Sequence, residues 1–215
     1  MSKNVAIIGQ TGAGISSLVN MLCLDANAPT SSDTTRCTKE GKEYQCNLED
    51  GWMCQVHDTV GLGEPGRWQF SFKSFKFVRK ADTWQLELEE YLTKKNLESW
   101  DLLIYCIPGG RGLLKKSHGQ NYKKVKSMAG SVPIVVVVTH LENFKDPLDS
   151  WWSDNLSTLG NLGIPENTKH ACITALPKHA LETFYQKGDL YDNSREGLKT
   201  LIRGILWPST GHRRR

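Results

Sequence analysis

The sequence predicts an α/β fold in which helices cover both faces of a mostly parallel sheet. Short apolar runs such as residues 102–107 and 133–138 have the composition of buried strands. Segments with helical spacing alternate with these runs along the chain, which is typical of a parallel sheet between two helical layers. The length of 215 residues suits one such domain and is short for two. We expect one domain over residues 1–208, followed by a basic C-terminal tail at 209–215.

Each predicted strand is a run of apolar or β-branched residues bounded by polar or turn-forming residues. The turn Asp50-Gly51 joins two of these runs into a strand pair. Each predicted helix has apolar residues three or four positions apart. The strands are predicted at 5–8, 43–48, 53–57, 102–107, 133–138 and 171–175, and the helices at 16–24, about 82–98, 117–129, 148–159 and 194–205.

Four phenylalanines, at positions 70, 72, 75 and 77, are separated by serine and lysine. This pattern fits either a strand at an edge or one side of a helix. We interpret the phenylalanines as core residues, and the alternative is a contact surface that switches between states.

Composition and charge set the class of protein. Apolar residues make up 39% of the chain and charged residues 23%, which is enough for a packed core and argues against extensive disorder. The net charge is +4, and no stripe concentrates it. We interpret the basic spots at Lys123, Lys124 and Lys126, and in the tail, as solvated surface. The sequence therefore predicts no nucleic-acid partner.

Membrane and redox features predict a cytoplasmic protein. No stretch approaches the roughly 20 apolar residues that span a bilayer, so we expect no membrane span. Residues 1–4 lead directly into a strand, which predicts that there is no signal peptide. The six cysteines are scattered without a Cys-x-x-Cys pair, and we interpret them as reduced thiols.

The first predicted strand leads into a glycine-rich loop at residues 9–17 that opens a helix. This loop fits the phosphate-binding pattern GxxxxGK[ST] at every fixed position except the lysine, which is Ile15. Glycines let backbone N–H groups approach phosphate oxygens, and the helix N-terminus favours the same anion. Ser16 is placed to bind Mg²⁺ and Ser17 to bind the α-phosphate. The predicted nucleotide-binding residues here are Gln10, Thr11, Gly12, Ala13, Gly14, Ile15, Ser16 and Ser17.

The missing lysine predicts weaker binding or a substitute cation. A lysine at this position bridges the β- and γ-phosphates and offsets charge in the transition state, which isoleucine cannot do. The neighbouring polar loop offers Arg36 and Lys39 as substitutes. Restoring lysine at Ile15 is expected to raise nucleotide affinity.

The strand that ends at His57 leads into Asp58-Thr59-Val60-Gly61. Asp58 is predicted to hold Mg²⁺ or its water, and the Gly61 N–H to bond a γ-phosphate. In the polar loop before the predicted strand pair, we prefer Thr38 as the threonine that would bind the metal and sense the γ-phosphate. Thr35 is the second choice. An ordinary Ser/Thr-rich surface loop is the alternative. Strand alternation sends His57 to the face opposite Asp58, so we expect a packed histidine.

A third group of residues predicts a pocket for guanine. Thr139-His140-Leu141-Glu142 follows the strand at 133–138. A carboxylate at Glu142 would accept from the N1–H and amino group of guanine, which adenine does not offer, and the His140 ring would pack on the base. The strand end at Thr174 and Ala175 offers a backbone N–H to guanine O6. Thr139, His140, Glu142, Thr174 and Ala175 are thus predicted base-binding residues.

Together these motifs resemble the small G-protein domain of the translation-factor-related P-loop GTPases. The resemblance covers nearly the whole chain. It is nearest to the septin-like branch with the immune-associated and chloroplast-import (Toc) GTPases, and to fungal proteins of that kind, because the base motif there is T[RH]x[DE]. The resemblance implies a three-layer fold with a six-stranded sheet, GTP and GDP with Mg²⁺, and nucleotide-dependent homodimers or effector binding.

The resemblance implies slow hydrolysis of GTP, with Thr38, Gly61 and Gly14 around the reacting phosphate and Ser16, Thr38 and Asp58 around Mg²⁺. Leu62 stands where many G proteins have a water-positioning glutamine, so another residue, a partner or a second protomer would be needed. A binding module with negligible turnover is the alternative. A kinase using ATP is less favoured because Arg79, Arg111, Arg195 and Arg203 are too dispersed for a lid.

Overall fold

A six-stranded sheet forms the centre of the computed structural model, which describes residues 2–28, 42–48, 51–59, 68–71, 76–79, 88–93 and 99–208. Its strand order is β2-β3-β1-β6-β7-β8, and every neighbouring pair except β2–β3 is parallel. This confirms the predicted fold class. The strands are β1 (Lys3–Gly9), β2 (Lys42–Asn47), β3 (Met53–Asp58), β4 (Trp68–Ser71), β5 (Lys76–Arg79), β6 (Leu102–Pro108), β7 (Ile134–Thr139) and β8 (His170–Cys172).

Helices lie on both faces of the sheet because alternate residues of the central strands point to opposite sides. Val5 and Ile7 belong to a core shared with α1 and α7, whereas Ala6 and Ile8 belong to a core shared with α3, α4 and α5. The helices are α1 (Ile15–Leu22), α2 (88–93), α3 (Lys116–Ala129), α4 (Ser150–Asp154), α5 (Leu156–Leu162), α6 (Lys178–Ala180) and α7 (Gly188–Leu206), and a π-helical turn (Leu181–Tyr185) precedes α7.

Most predicted boundaries differ from the structure by only one or two residues, and three differences are informative. The helix predicted at 148–159 is two helices, because Asn155 leaves helical geometry with φ −114° and ψ 12°. Helix α7 begins at Gly188, six residues before the predicted start, since its first turns carry few apolar residues. Strand β8 ends at Cys172, so the predicted base-contacting residues after it lie in a loop, where backbone N–H groups are available to a ligand.

The phenylalanine segment contains strands. Strands β4 and β5 pair antiparallel in a separate two-stranded sheet, with Phe70 opposite Phe77. The strand interpretation is therefore confirmed at these two positions. Phe72 and Phe75 lie outside the residues that the structure describes, as does the predicted tail at 209–215.

The cysteines correct one prediction. Cys23, after α1, and Cys46, in β2, form a disulfide with Cα atoms 4.7 Å apart. The prediction of reduced thiols is wrong for this pair, because the fold brings together residues that are distant in the sequence. Cys54, Cys106 and Cys172 are buried free thiols. Within the described part of the chain, no helix has the length and apolar character needed to cross a bilayer.

Candidate functional site

The loop between β1 and α1 has the backbone geometry of an anion-binding turn. Gly12 and Gly14 adopt φ of +84° and +82°, a left-handed conformation that costs glycine little and other residues more. The Ala13 N–H donates to the Gln10 carbonyl oxygen at 2.9 Å, which closes the turn. A side chain at Gly12 would meet no atom within 4 Å, so this side of the loop is open. Backbone N–H groups and the N-terminus of α1 thus face a space where phosphate can bind.

Ile15 occupies the position that a lysine has in the complete motif. It is the first residue of α1, and its side chain is only 7% exposed, packed in the core that α1 shares with the sheet. Ser17 is half-buried on the same helix, and Thr11 is exposed at the tip of the loop. The loop therefore provides amides, a helix N-terminus and hydroxyls, but no ammonium group.

Ser16 and Asp58 lie together, as their spacing in the sequence predicts. The Ser16 hydroxyl donates to Oδ2 of Asp58 at 3.1 Å. Asp58 ends β3, and its Cα pairs with Ile7 of β1, so the sheet fixes the carboxylate at the carboxyl end of the strands. It is 1% exposed. A hydroxyl and a carboxylate at this position fit a Mg²⁺ ion that receives its remaining ligands from phosphates and water.

Thr139 joins the phosphate loop to the predicted base loop. Its buried hydroxyl donates to the Ala13 carbonyl oxygen at 2.9 Å. A Cβ atom built on Gly14 would lie 3.4 Å from the Cβ atoms of Thr139 and Ala175. The structure therefore brings together three segments that are more than 30 residues apart in the sequence. The Thr139 hydroxyl is used inside the protein, which indicates a positioning role.

His140 follows β7 with φ of +62°, which directs the chain sharply into the base loop. Its Nδ1 lies 2.8 Å from the Thr139 hydroxyl oxygen. Burial lowers the pKa of His140, and the neighbouring Glu142 carboxylate opposes this shift only in part. The ring is therefore neutral at physiological pH, and a neutral imidazole is suited to packing against a base.

Glu142 has the property that a guanine site requires. Its Oε2 atom is buried and has no hydrogen-bond partner among the residues that the structure describes. A buried carboxylate oxygen without a donor is costly, and the N1–H and amino group of guanine supply such donors. Lys187 holds this loop, because its ammonium donates to the carbonyl oxygens of Glu142 at 3.0 Å and Phe144 at 3.3 Å. Sequence reasoning missed Lys187, since nothing local to it indicates this contact.

The strand end after β8 contains Thr174 and Ala175, the residues predicted to offer a backbone N–H to the base. The Thr174 N–H donates to the Ser194 hydroxyl of α7 at 3.3 Å, and the Thr174 hydroxyl accepts from the Leu176 N–H. The Thr174 N–H is therefore used in holding the loop to α7, and the base contact predicted for this strand end stays a prediction. The Ala175 N–H makes no hydrogen bond to any described residue and stays the candidate donor to guanine O6.

Gln10 connects the phosphate loop with α3. Its side-chain oxygen accepts from the Ser117 hydroxyl at 3.3 Å, and its Nε2 is buried without a partner. The phosphate loop thus contains a buried side-chain amide that donates no hydrogen bond to any described residue.

His57 confirms the prediction from strand alternation. It is buried, its Nδ1 lies 3.2 Å from the Tyr91 hydroxyl, and its ring contacts Trp100 edge-on at 4.6 Å between centroids. Asp58, on the other face, contacts α1. The remaining predicted residues lie outside the part of the chain that the structure describes; they are Thr35, Arg36, Thr38, Lys39, Gly61 and Leu62.

Residues 4–140 match the model of a protein family described as the 50S ribosome-binding GTPases, and the chain belongs to this family. It is a P-loop GTPase domain, and its family is one of GTP hydrolases. This identification agrees with the loop, the Ser16–Asp58 contact and the base loop seen in the structure. No curated protein matches the sequence significantly.

Two solved structures show the same fold. An alanine variant of Era from Aquifex aeolicus, bound to GDP and AlF₄⁻, is 19% identical with a TM-score of 0.56, and the match covers 82% of this chain and 52% of that chain. Era in complex with MgGDPNP and nucleotides 1506–1542 of 16S ribosomal RNA is 20% identical with a TM-score of 0.56, covering 81% and 51%. The chain thus spans about half the length of these structures.

The second of these structures overturns one prediction. Era shares this fold and is seen with ribosomal RNA, so the exclusion of a nucleic-acid partner is wrong. The exclusion relied on the small net charge and on the absence of a basic stripe in the sequence, but a basic surface is assembled by the fold and is not decided by either.

Proposed function

We propose that this domain binds guanine nucleotide with Mg²⁺ and hydrolyses GTP slowly to GDP and phosphate. The observation that carries the proposal is the meeting of three segments at the carboxyl end of the sheet. The phosphate loop contacts Asp58 through Ser16, and it contacts the base loop through the hydrogen bond from the Thr139 hydroxyl to the Ala13 carbonyl oxygen. Ligands of open α/β sheets bind at this end of the strands.

Charge and geometry support a distinct role for each group. Backbone N–H groups of the loop and the N-terminus of α1 would stabilise negative charge on the transferring phosphoryl group. Ser16 and Asp58 would hold the metal, together with Thr38, and the Gly61 N–H would bond the γ-phosphate. Bound Mg²⁺ would neutralise charge on the β- and γ-phosphates. Ile15 supplies no ammonium, which is the physical reason to expect a slow rate.

The test is phosphate release from GTP in Mg²⁺ over a range of protein concentrations, with Asp58→Asn as the control variant. Slow release that Asp58→Asn abolishes supports the proposal, and a rate per molecule that rises with concentration indicates hydrolysis assisted by a second protomer. Guanine nucleotide binding without release would leave a nucleotide-dependent binding module, our alternative function. A protein that binds neither GDP nor GTP would contradict both.

We also propose that, within the GTPases, the chain belongs to the septin-like branch with the immune-associated and chloroplast-import proteins. The base motif Thr139-His140-Leu141-Glu142 supports it. We also propose that residues 1–208 form this one domain. The resemblance implies nucleotide-dependent homodimers, so sedimentation of the protein with GDP and with a non-hydrolysable GTP analogue tests the assignment. A monomer in both states would contradict it. A cytoplasmic location stays a prediction.

A specific observation favours RNA as a second partner. Residues 102–141 contain six lysines and arginines and no aspartate or glutamate. Lys116 and Lys123 are exposed and lie two turns apart on one side of α3, where they line a groove of about 410 Å³ together with Asn161 of α5. Such a face suits the phosphate backbone of a nucleic acid.

The test of this second function is RNA affinity as a function of salt concentration. Lys116→Gln with Lys123→Gln should weaken binding of a structured RNA and lower the salt dependence by about two phosphate contacts. The matched control is Lys145→Gln with Lys169→Gln, which changes the net charge equally at other exposed positions. Equal losses in both double variants would indicate a non-specific effect of net charge and contradict a site on α3.

A further inference from the structure

Lys42 lies beside the proposed metal site, although it is 26 positions from Ser16 in the sequence. It opens β2, and its Cα pairs with Asp58 across the antiparallel β2–β3 ladder. Residues directly opposite in such a ladder have Cβ atoms about 4.5–5.5 Å apart and point to the same face. Lys42 is therefore a close neighbour of the carboxylate that contacts Ser16.

The face of the sheet is fixed by the rest of β2. Cys46 belongs to the core that α1 shares with the sheet, and Tyr44 packs against that core. Side chains alternate with a period of two, so Lys42 projects to the face of α1, Ser16 and Asp58. The pKa of Tyr44 is raised by burial and, to a smaller extent, by the charge of Asp58, which agrees with this arrangement.

The lysine side chain is available for a ligand. Lys42 is exposed, and its side chain makes no hydrogen bond or ion pair within the described part of the chain. An ammonium on a flexible four-carbon stem can turn toward negative charge that arrives beside Asp58. A bound triphosphate would bring such charge, and Ile15 does nothing to neutralise it.

Other described cations at this end of the sheet are differently placed. Arg111 and Lys115 follow β6, which lies on the side of β1 that leads to the base loop. Lys187 donates to carbonyl oxygens of the base loop. Lys42, by contrast, lies on β2, next to the strand that carries Asp58.

We propose that Lys42 supplies the ammonium that the phosphate loop lacks, and that it binds the terminal phosphate of GTP. This inference rests on the proposed function, because it assigns a further binding residue to the same nucleotide site. Its physical basis is that Lys42 lies opposite Asp58, the proposed metal ligand, and that a triphosphate carries more negative charge than a diphosphate.

The experiment measures affinities of the full chain for GDP and for GDPNP in Mg²⁺. Lys42→Met should weaken GDPNP binding about tenfold and GDP binding much less, since an ion-paired hydrogen bond to the third phosphate is lost. Lys42→Arg should retain most of the affinity. The control is Lys169→Met, which removes an exposed lysine beside β8 at the opposite edge of the sheet and should change neither affinity.

Ile15→Lys provides a second and independent reading. With an ammonium restored in the loop, Lys42→Met should have little further effect, so the two changes should be strongly non-additive. Wild-type protein that binds both nucleotides while Lys42→Met binds GDPNP equally well would overturn the role of Lys42 and leave the proposed function standing. An equal loss in the Ile15→Lys background would also overturn it. Wild-type protein that binds neither nucleotide would overturn both proposals.

Discussion

The hydroxyl oxygen of Ser16 and Oδ2 of Asp58 lie 3.1 Å apart, although 42 positions separate the two residues in the sequence. One belongs to the first turn of α1 and the other to the end of β3, and the pairing of β1 with β3 holds them in place. The contact positions a hydroxyl and a carboxylate before any ligand arrives. Metal binding therefore requires little rearrangement of these two side chains.

Asp58→Asn should remove the Mg²⁺ dependence of GTP binding. The amide keeps the shape of the side chain but loses the negative charge that attracts the cation, so affinity in Mg²⁺ should fall about tenfold or more. Titrations with a fluorescent guanine nucleotide, with Mg²⁺ and with EDTA, measure the effect. Asp154→Asn, at an exposed position of α4, is the matched control. Unchanged Mg²⁺ dependence in Asp58→Asn would refute the metal assignment.

Glu142→Ala should reduce the preference for guanine over adenine. The variant removes the acceptor for the N1–H and amino group, so the ratio of GDP to ADP affinity should fall at least about tenfold. Competition binding of the two nucleotides measures this ratio. Glu166→Ala, at an exposed position, should leave the ratio unchanged. If the variant prefers GDP over ADP as strongly as the wild type does, Glu142 does not contact the base.

Thr139→Val should destabilise the protein itself. The change keeps the shape of the side chain but leaves the buried Ala13 carbonyl oxygen without its donor, at a cost of about 1–3 kcal/mol in free energy of unfolding. Urea denaturation followed by circular dichroism measures the loss. Thr139→Ser retains the hydroxyl and should be closer to wild type in stability. Equal losses in both variants would mean that packing, and not the hydrogen bond, sets the stability here.

Lys187→Met should weaken guanine nucleotide binding indirectly, through the position of the base loop. Its ammonium fixes the loop through two carbonyl oxygens, so without it the Glu142 carboxylate would be less well oriented. We expect GDP affinity to fall several-fold, while the unfolding midpoint moves much less. Isothermal titration calorimetry beside thermal unfolding separates the two effects. An unchanged dissociation constant for GDP would exclude a positioning role for Lys187.

Stability should fall as pH falls below about 6.5, the usual pKa of histidine. Burial holds the pKa of His140 below that value in the folded state, so the unfolded chain takes up the proton first. The folded state therefore loses stability from about pH 6.5 down to the lowered pKa, and regains it as pH rises. His140→Asn tolerates the positive φ and should flatten this part of the curve relative to wild type. Unfolding free energies between pH 5 and 8 provide the measurement.

The parts of the site that the sequence predicts are those encoded by local patterns. The loop at residues 9–17 and Asp58 each follow an apolar strand, and the ends of neighbouring strands meet at one edge of a sheet. Glu142 is predicted for the same reason. Backbone conformation at glycine and helix N-termini depends on a few adjacent residues, so these elements can be derived without knowing the rest of the fold.

Contacts that depend on packing could not be derived in this way. The Ser194 hydroxyl of α7 accepts a hydrogen bond from the Thr174 N–H after β8. Cys23 lies next to Cys46 only because α1 packs over β2. Lys187 reaches the base loop from a turn 45 residues later. Each of these contacts requires the three-dimensional path of two segments, which residue patterns within one segment do not contain.

The buried side chain of Ile15 has a consequence for the ligand-free protein. A lysine in the loop would leave an uncompensated ammonium whenever phosphate departs, whereas isoleucine contributes about 1.5–3 kcal/mol of hydrophobic burial irrespective of occupancy. The nucleotide-free form of this domain should therefore stay folded without a ligand. Spontaneous exchange, in which the protein passes through an empty intermediate without the help of an exchange factor, is then open to it.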